Sequence, residues 1–101
     1  MSKTTLYQDD TFHLELELLN TIPLFHSKSE TWNKTEKLKQ QDVFEGALEA
    51  LQEVGYTEVY TLVPEPDDKN KKYVALFGFE YSETLPVVSE RGVEEVWVRR
   101  I

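Results

Sequence analysis

The sequence has no cysteine, one methionine, and only four glycines and four prolines in 101 residues. Without cysteine no disulfide framework can form, which fits a reducing, cytoplasmic setting, and a thiolate metal site is excluded. No apolar run approaches the roughly 20 residues of a membrane span. Met1-Ser2-Lys3-Thr4-Thr5-Leu6 lacks the apolar core and small-residue cleavage site of a signal peptide. Positive charge is also scarce: 11 Lys and Arg stand against 19 Asp and Glu, for a net charge of −8. The acidity is concentrated in residues 36–66. The basic clusters, Lys69 with Lys71 and Lys72, and Arg99 with Arg100, are short and flanked by acids. They do not make the basic face that releases phosphate counterions, so nucleic acid is not an expected partner.

What is present is enough for one small domain: 40% of the residues are hydrophobic and 12% aromatic. Residues 1–11 are polar and read as an N-terminal arm, with residues 12–101 as the domain. Phe12, Leu14, Leu16 and Leu18 alternate with His13, Glu15 and Glu17, the period-2 pattern of a strand with one wet face. Ile22-Pro23-Leu24-Phe25 continues as an extended segment, with Pro23 at an edge or at the end of pairing.

The period then changes. Phe44, Ala47, Leu48, Leu51 and Val54 recur at three and four residues, which predicts an amphipathic helix starting as early as Ser29 or Thr31 and closed by Gly55. Residues 56–63 are apolar on both faces, with Val59, Thr61 and Val63 on one and Tyr60 and Leu62 on the other, as in an interior strand covered on both sides. Pro64-Glu65-Pro66 stops it. Asp67 and Asp68 suit a helix N-terminus, and Gly78 ends a short helix. Phe79-Glu80-Tyr81 opens a strand, residues 82–92 form a loop or bent strand, and residues 93–100 a final strand. The order β-α-β-α-β-β defines an α/β (α+β) fold with a small mixed sheet, its first two strands parallel neighbours and its last pair antiparallel.

Residues 12–100 in this order resemble the C-terminal half of the GNAT fold of N-acetyltransferases. The resemblance is most specific over residues 56–79: a helix ending at Gly55, the strand Val59-Tyr60-Thr61-Leu62-Val63, a polar turn, and a short helix closing on Gly78-Phe79. It is similar to phage-borne, virion-associated members with weakened cofactor motifs, which implies a place in host cytoplasm or virion. An ordinary member has about three strands and two helices before the strand placed here at residues 12–19, where this sequence has eleven residues. Members also carry a glycine-containing loop whose backbone N–H groups cradle the acetyl-CoA pyrophosphate at a helix N-terminus. The corresponding stretch, Phe25-His26-Ser27-Lys28-Ser29-Glu30, has no glycine. The tyrosine that reprotonates the thiolate in many members would stand four residues before Gly78, where this chain has Val74, with Tyr73 adjacent.

The resemblance therefore implies a GNAT-like domain without robust acetyltransferase activity and with no cofactor, acting in interaction or assembly. Its protein partner, or a second copy, would add to the sheet edge that the missing strands leave open, unless residues 1–11 fold back to cover it. Tyr7, Phe12, Phe25 and Trp32 form an aromatic front end, read either as core packing or as that interface. The alternative is an acetyl-CoA-dependent N-acyltransferase active as a dimer. In it Ser27, Lys28 and Ser29 would hold the pyrophosphate, and Glu15 or Glu17 would serve as base; the plainer reading of the two glutamates is a solvated row on an edge strand. A third class is an acidic-surface mimic that binds a basic partner. His13 and His26 lack zinc-site spacing, so no metal is expected.

Overall fold

The computed structural model describes residues 2–65, 67–89 and 92–101. Pro66, expected to help stop a strand, and Glu90 and Arg91, within the 82–92 segment expected as a loop or bent strand, lie outside the described residues. The fold is the expected α/β class: a six-stranded mixed sheet and two helices. The elements are β1 (Ser2–Gln8), β2 (Phe12–Leu19), β3 (Ile22–Ser29), α1 (Lys34–Val54), β4 (Glu58–Pro64), α2 (Asp68–Leu76), β5 (Glu80–Ser89) and β6 (Gly92–Arg100). The sheet order is β1-β2-β3-β4-β6-β5, antiparallel throughout except for the parallel pair β3/β4.

The order from the long helix onward and the antiparallel closing pair are as expected; the N-terminal third is not. Residues 2–8, read as part of a polar arm, fold back as β1 and pair with β2, with a bulge between Thr5 and Tyr7. Thr4 and Thr5 are good strand formers, and an edge strand needs no apolar face of its own. The extended segment at residues 22–25 is the start of a full strand, β3, which sits between β2 and β4. Hence β2 is not the parallel neighbour of β4, and it is an interior strand with partners on both sides. The Asn20-Thr21 turn that joins β2 to β3 has positive φ at both residues (52° and 71°), as a two-residue hairpin with the right twist requires.

Helix α1 begins later than expected. Asn33 is its N-cap, its side chain accepting from the Glu36 N–H at 2.9 Å. Gly55 closes it in a left-handed conformation, φ 108°, and its N–H and that of Tyr56 satisfy the last carbonyls. Asp67 caps α2 in the same way through the Asn70 N–H.

Both helices pack on one face of the sheet. The core joins Phe44, Leu48 and Leu51 of α1 and Val74 of α2, with Phe77 just beyond it, to Phe12, Leu14, Phe25, Val59 and Val63 of the strands. Those strand residues share one face by register and alternation. Phe44 stands at the centre, in edge contact with Phe25 and Phe77 at 5.3 Å. Arg99 ties the layers together: it donates to the Phe77 carbonyl and lies 3.3 Å from Glu45 of α1. The Cα extents of 35 × 32 × 22 Å fit two layers.

The turn from β1 to β2 is locked to α1 by charge. Asp9 Oδ1 accepts from the backbone N–H groups of Thr11 and Phe12, and Asp9 Oδ2 lies 2.7 Å from Lys39 Nζ, which also meets Glu36 at 3.0 Å. Lys39 holds the carboxyls of Asp9 and Glu36 below their ordinary values. Carboxyls of lowered pKa stabilise the fold above the unfolded-state value, and that stabilisation disappears as pH falls through the folded-state value. Asp9→Asn is therefore expected to melt at a lower temperature than the parent above about pH 5, with the two curves converging toward about pH 2. Melting temperature against pH checks this.

Two glycines give opposite expectations in denaturant titrations. Gly46 is in mid-helix with open space around it, so Gly46→Ala adds about 0.5–1 kcal/mol of stability. Gly55→Ala forces a side chain into the left-handed cap and removes about 1 kcal/mol.

Candidate functional site

β3 and β4 touch in parallel register at one position, Leu24 opposite Tyr60. Beyond it the strands diverge, and the Thr61 hydroxyl bridges the start of the gap by donating to the Phe25 carbonyl at 3.0 Å. A cleft of about 520 Å³ lies at the diverging end, on the helix side. Ser27, Ser29 and Trp32 line it from β3 and the loop that follows; Asn70, Tyr73 and Leu76 line it from α2. Trp32 is 45% exposed and stands edge-on to Tyr73, with ring centroids 5.4 Å apart.

Its floor is a hydrogen-bond relay centred on Gln40 of α1, which is fully buried. Tyr73 Oη donates to Gln40 Oε1 at 2.7 Å, Gln40 Nε2 donates to Ser29 Oγ at 2.8 Å, and Ser29 Oγ donates to the Thr31 carbonyl at 3.0 Å. Burial pushes the Tyr73 phenol up to about 12, with a hydrogen bond to Ser27 opposing. It is therefore a neutral donor at ordinary pH. Sequence reasoning missed Gln40. The available signal was its place four residues before Phe44, a polar side chain on the apolar stripe of α1.

The predicted site residues do not come together. Ser27 and Ser29 line the cleft, but Lys28 projects from the opposite face and lies 3.2 Å from Glu30. Glu15 and Glu17 are also on that opposite face, because they alternate with the core residues Leu14 and Leu16. They are not a solvated edge row. Glu17 is 7% exposed with its Oε1 2.7 Å from His26 Nε2, and Glu15 Oε1 is 2.9 Å from His13 Nε2. The sheet thus lies between the candidate bases and the candidate pyrophosphate ligands.

The aromatic front end disperses as well. Phe12 and Phe25 are each 3% exposed in the core and are unavailable to a partner. Tyr7 packs on Phe12 and donates to Asp9, leaving Trp32 as the exposed member. The residue four before Gly78, Val74, is in the core, while Tyr73 opens into the cleft. Among the described residues no group of three His, Asp or Glu side chains is placed to hold a metal. No described helix is long and apolar enough to cross a membrane.

The fold defines the class of protein, a small α/β domain with a mixed sheet carrying helices on one face. No family model and no curated protein matches the sequence. Among solved structures the chain is similar to a domain from Methanocaldococcus jannaschii DSM 2661, with a TM-score of 0.67 at 17% identity. The match covers 96% of this chain and 63% of that one. At that identity the likeness is one of fold.

The relay makes a stability prediction. Gln40→Leu removes the acceptor of the Tyr73 hydroxyl and the donor to Ser29 and costs about 1–3 kcal/mol, and Tyr73→Phe costs about 1 kcal/mol. The double variant loses less than the sum, by at least about 0.5 kcal/mol, in a urea-denaturation cycle. Additive losses would show that the two side chains do not act together.

Proposed function

We propose that this chain is a GNAT-like domain that works as an interaction or assembly module and does not carry robust acetyltransferase activity. The observation that carries the reading is the second face of the sheet. No described helix covers it, yet Leu24, Tyr60, Leu62, Val96 and Val98 line its centre. A largely antiparallel sheet ordinarily turns polar residues to an uncovered face, so a run of partly exposed apolar side chains at Tyr60, Leu62, Val96 and Val98 beside buried Leu24 supports a binding surface.

The residues of the cleft do not fit the pyrophosphate of acetyl-CoA. The connection from β3 to α1 has no glycine to let the backbone approach the anion. Glu30 and Asp67 place carboxylates in the cleft lining, against Lys69 and Lys72. The second reading, an acetyl-CoA-dependent N-acyltransferase active as a dimer, draws support from the size of the cleft and from the neutral Tyr73 phenol within it.

Calorimetry with acetyl-CoA on the intact chain, with a light-scattering mass on the same sample, separates the two. The interaction reading expects no saturable heat up to about millimolar cofactor. Micromolar binding that Tyr73→Phe or Ser29→Ala weakens, together with acetyl transfer to an amine, would overturn it in favour of the enzyme.

A further inference from the structure

The helix-free face has both a pattern and a sign. A strip of apolar side chains crosses it from Leu19 and Ile22 at the β2–β3 hairpin, through Leu24, to Tyr60 and Leu62 of β4 and Val96 and Val98 of β6. The registers Leu19↔Ile22, Leu24↔Tyr60, Tyr60↔Val98 and Leu62↔Val96 set this path. Leu19 and Ile22 are 41% and 47% exposed. Around the strip stand Glu15 on β2, Glu58 on β4 and Glu80 and Glu83 on β5, with the buried Glu17 and Glu94 adding negative charge beneath the same face. The bases on this face are fewer: Lys3, Lys28 and Arg100.

Two arguments select the occupant. The interior strands β3, β4 and β6 have neighbours on both sides, so their backbone groups are engaged in the sheet wherever the strands pair, and this face offers side chains. An element that lies on it must satisfy its own backbone internally, which a helix does and an added strand does not. The charge then excludes a second copy as the favoured occupant, because a twofold contact would set this acidic face against itself. Resting on the interaction reading above, we propose that this face is the docking site for a cationic amphipathic helix. Its apolar stripe seats on Tyr60, Leu62, Val96 and Val98, and its Lys and Arg side chains meet Glu15, Glu58, Glu80 and Glu83.

The test uses the full chain, ¹⁵N-labelled, with a peptide of about 18 residues that places Leu at helical i, i+3, i+4 and i+7 spacing and Lys elsewhere. A matched peptide with Glu in place of Lys is the control. The Lys peptide is expected to shift the amides of Leu24, Tyr60, Leu62 and Val96, and to bind at least about tenfold more weakly in high salt than in low salt. Leu62→Asp should abolish these shifts. Glu80→Lys with Glu83→Lys changes two exposed positions, leaves the strip intact and should weaken binding about tenfold with an unchanged melt, so the test survives if Leu62→Asp unfolds. Equal binding of the Glu peptide, shifts confined to the cleft or the helix layer, or no binding would each overturn the inference. Concentration-dependent doubling of mass through the same amides would overturn the helix as occupant while leaving the interaction reading standing; turnover of acetyl-CoA would remove that reading itself.

Discussion

The parallel contact between β3 and β4 holds at Leu24 and Tyr60 and nowhere else in the described register, and the two halves of the molecule are arranged about that contact. On its N-terminal side the sheet is a three-stranded antiparallel meander; on its other side β4 is paired along its whole length with β6. Where β3 leaves β4, backbone groups that a ladder would have paired need other partners. The Thr61 hydroxyl takes the Phe25 carbonyl, and Gln40, Ser29 and Tyr73 bridge the end of β3 to both helices. The buried amide of Gln40 follows from this opening: an apolar residue at that position would take away the acceptor of the Tyr73 hydroxyl and the donor to Ser29.

The same divergence gives the sheet two faces of different character. On the helix side Phe44 gathers the rings of Phe25 on β3 and of Phe77 and Phe79 between α2 and β5, and Arg99 of β6 secures that layer from the same face of the sheet. On the other side both histidines of the chain are each paired with a glutamate of β2. An acetyltransfer site would need its base and its cofactor ligands to converge. Here Glu17 is engaged by His26, and Ser27 and Ser29 face the opposite way.

Residues whose burial is set by the chain's own helices were legible in the sequence. The stripe of α1, the Gly55 and Gly78 stops, the Asp67 cap and the strands at residues 58–64 and 92–100 follow from periodicity and cap chemistry. β3 was obscured because Ser27 and Ser29 line a cleft where core residues would stand, which erases the alternation after Phe25. β1 was obscured because an edge strand on a polar rim needs propensity and not hydrophobicity. The Asn33–Glu36 cap was readable as an N-cap followed three residues later by Glu, and it fixes the helix start past the residues first assigned to it. The site residues were the least legible. Which face Glu15, Glu17 and Lys28 occupy depends on the register of a β2–β3 hairpin that Pro23 disguised.

One expectation fails in an informative direction. β4 reads as a strand covered on both sides, and the described helices cover only one: Val59 and Val63 are fully buried beneath them, while Tyr60 and Leu62 are partly buried. Local pattern and global packing normally agree in a natural sequence, and the places where they part are where function has its own requirements. An unpartnered face would be better served by polar residues at Leu62, Val96 and Val98, which would lose no core contact and gain hydration. Their apolar character, with exposed Leu19 and Ile22 extending the same strip and glutamates around it, is the feature that the proposed docking of a helix accounts for.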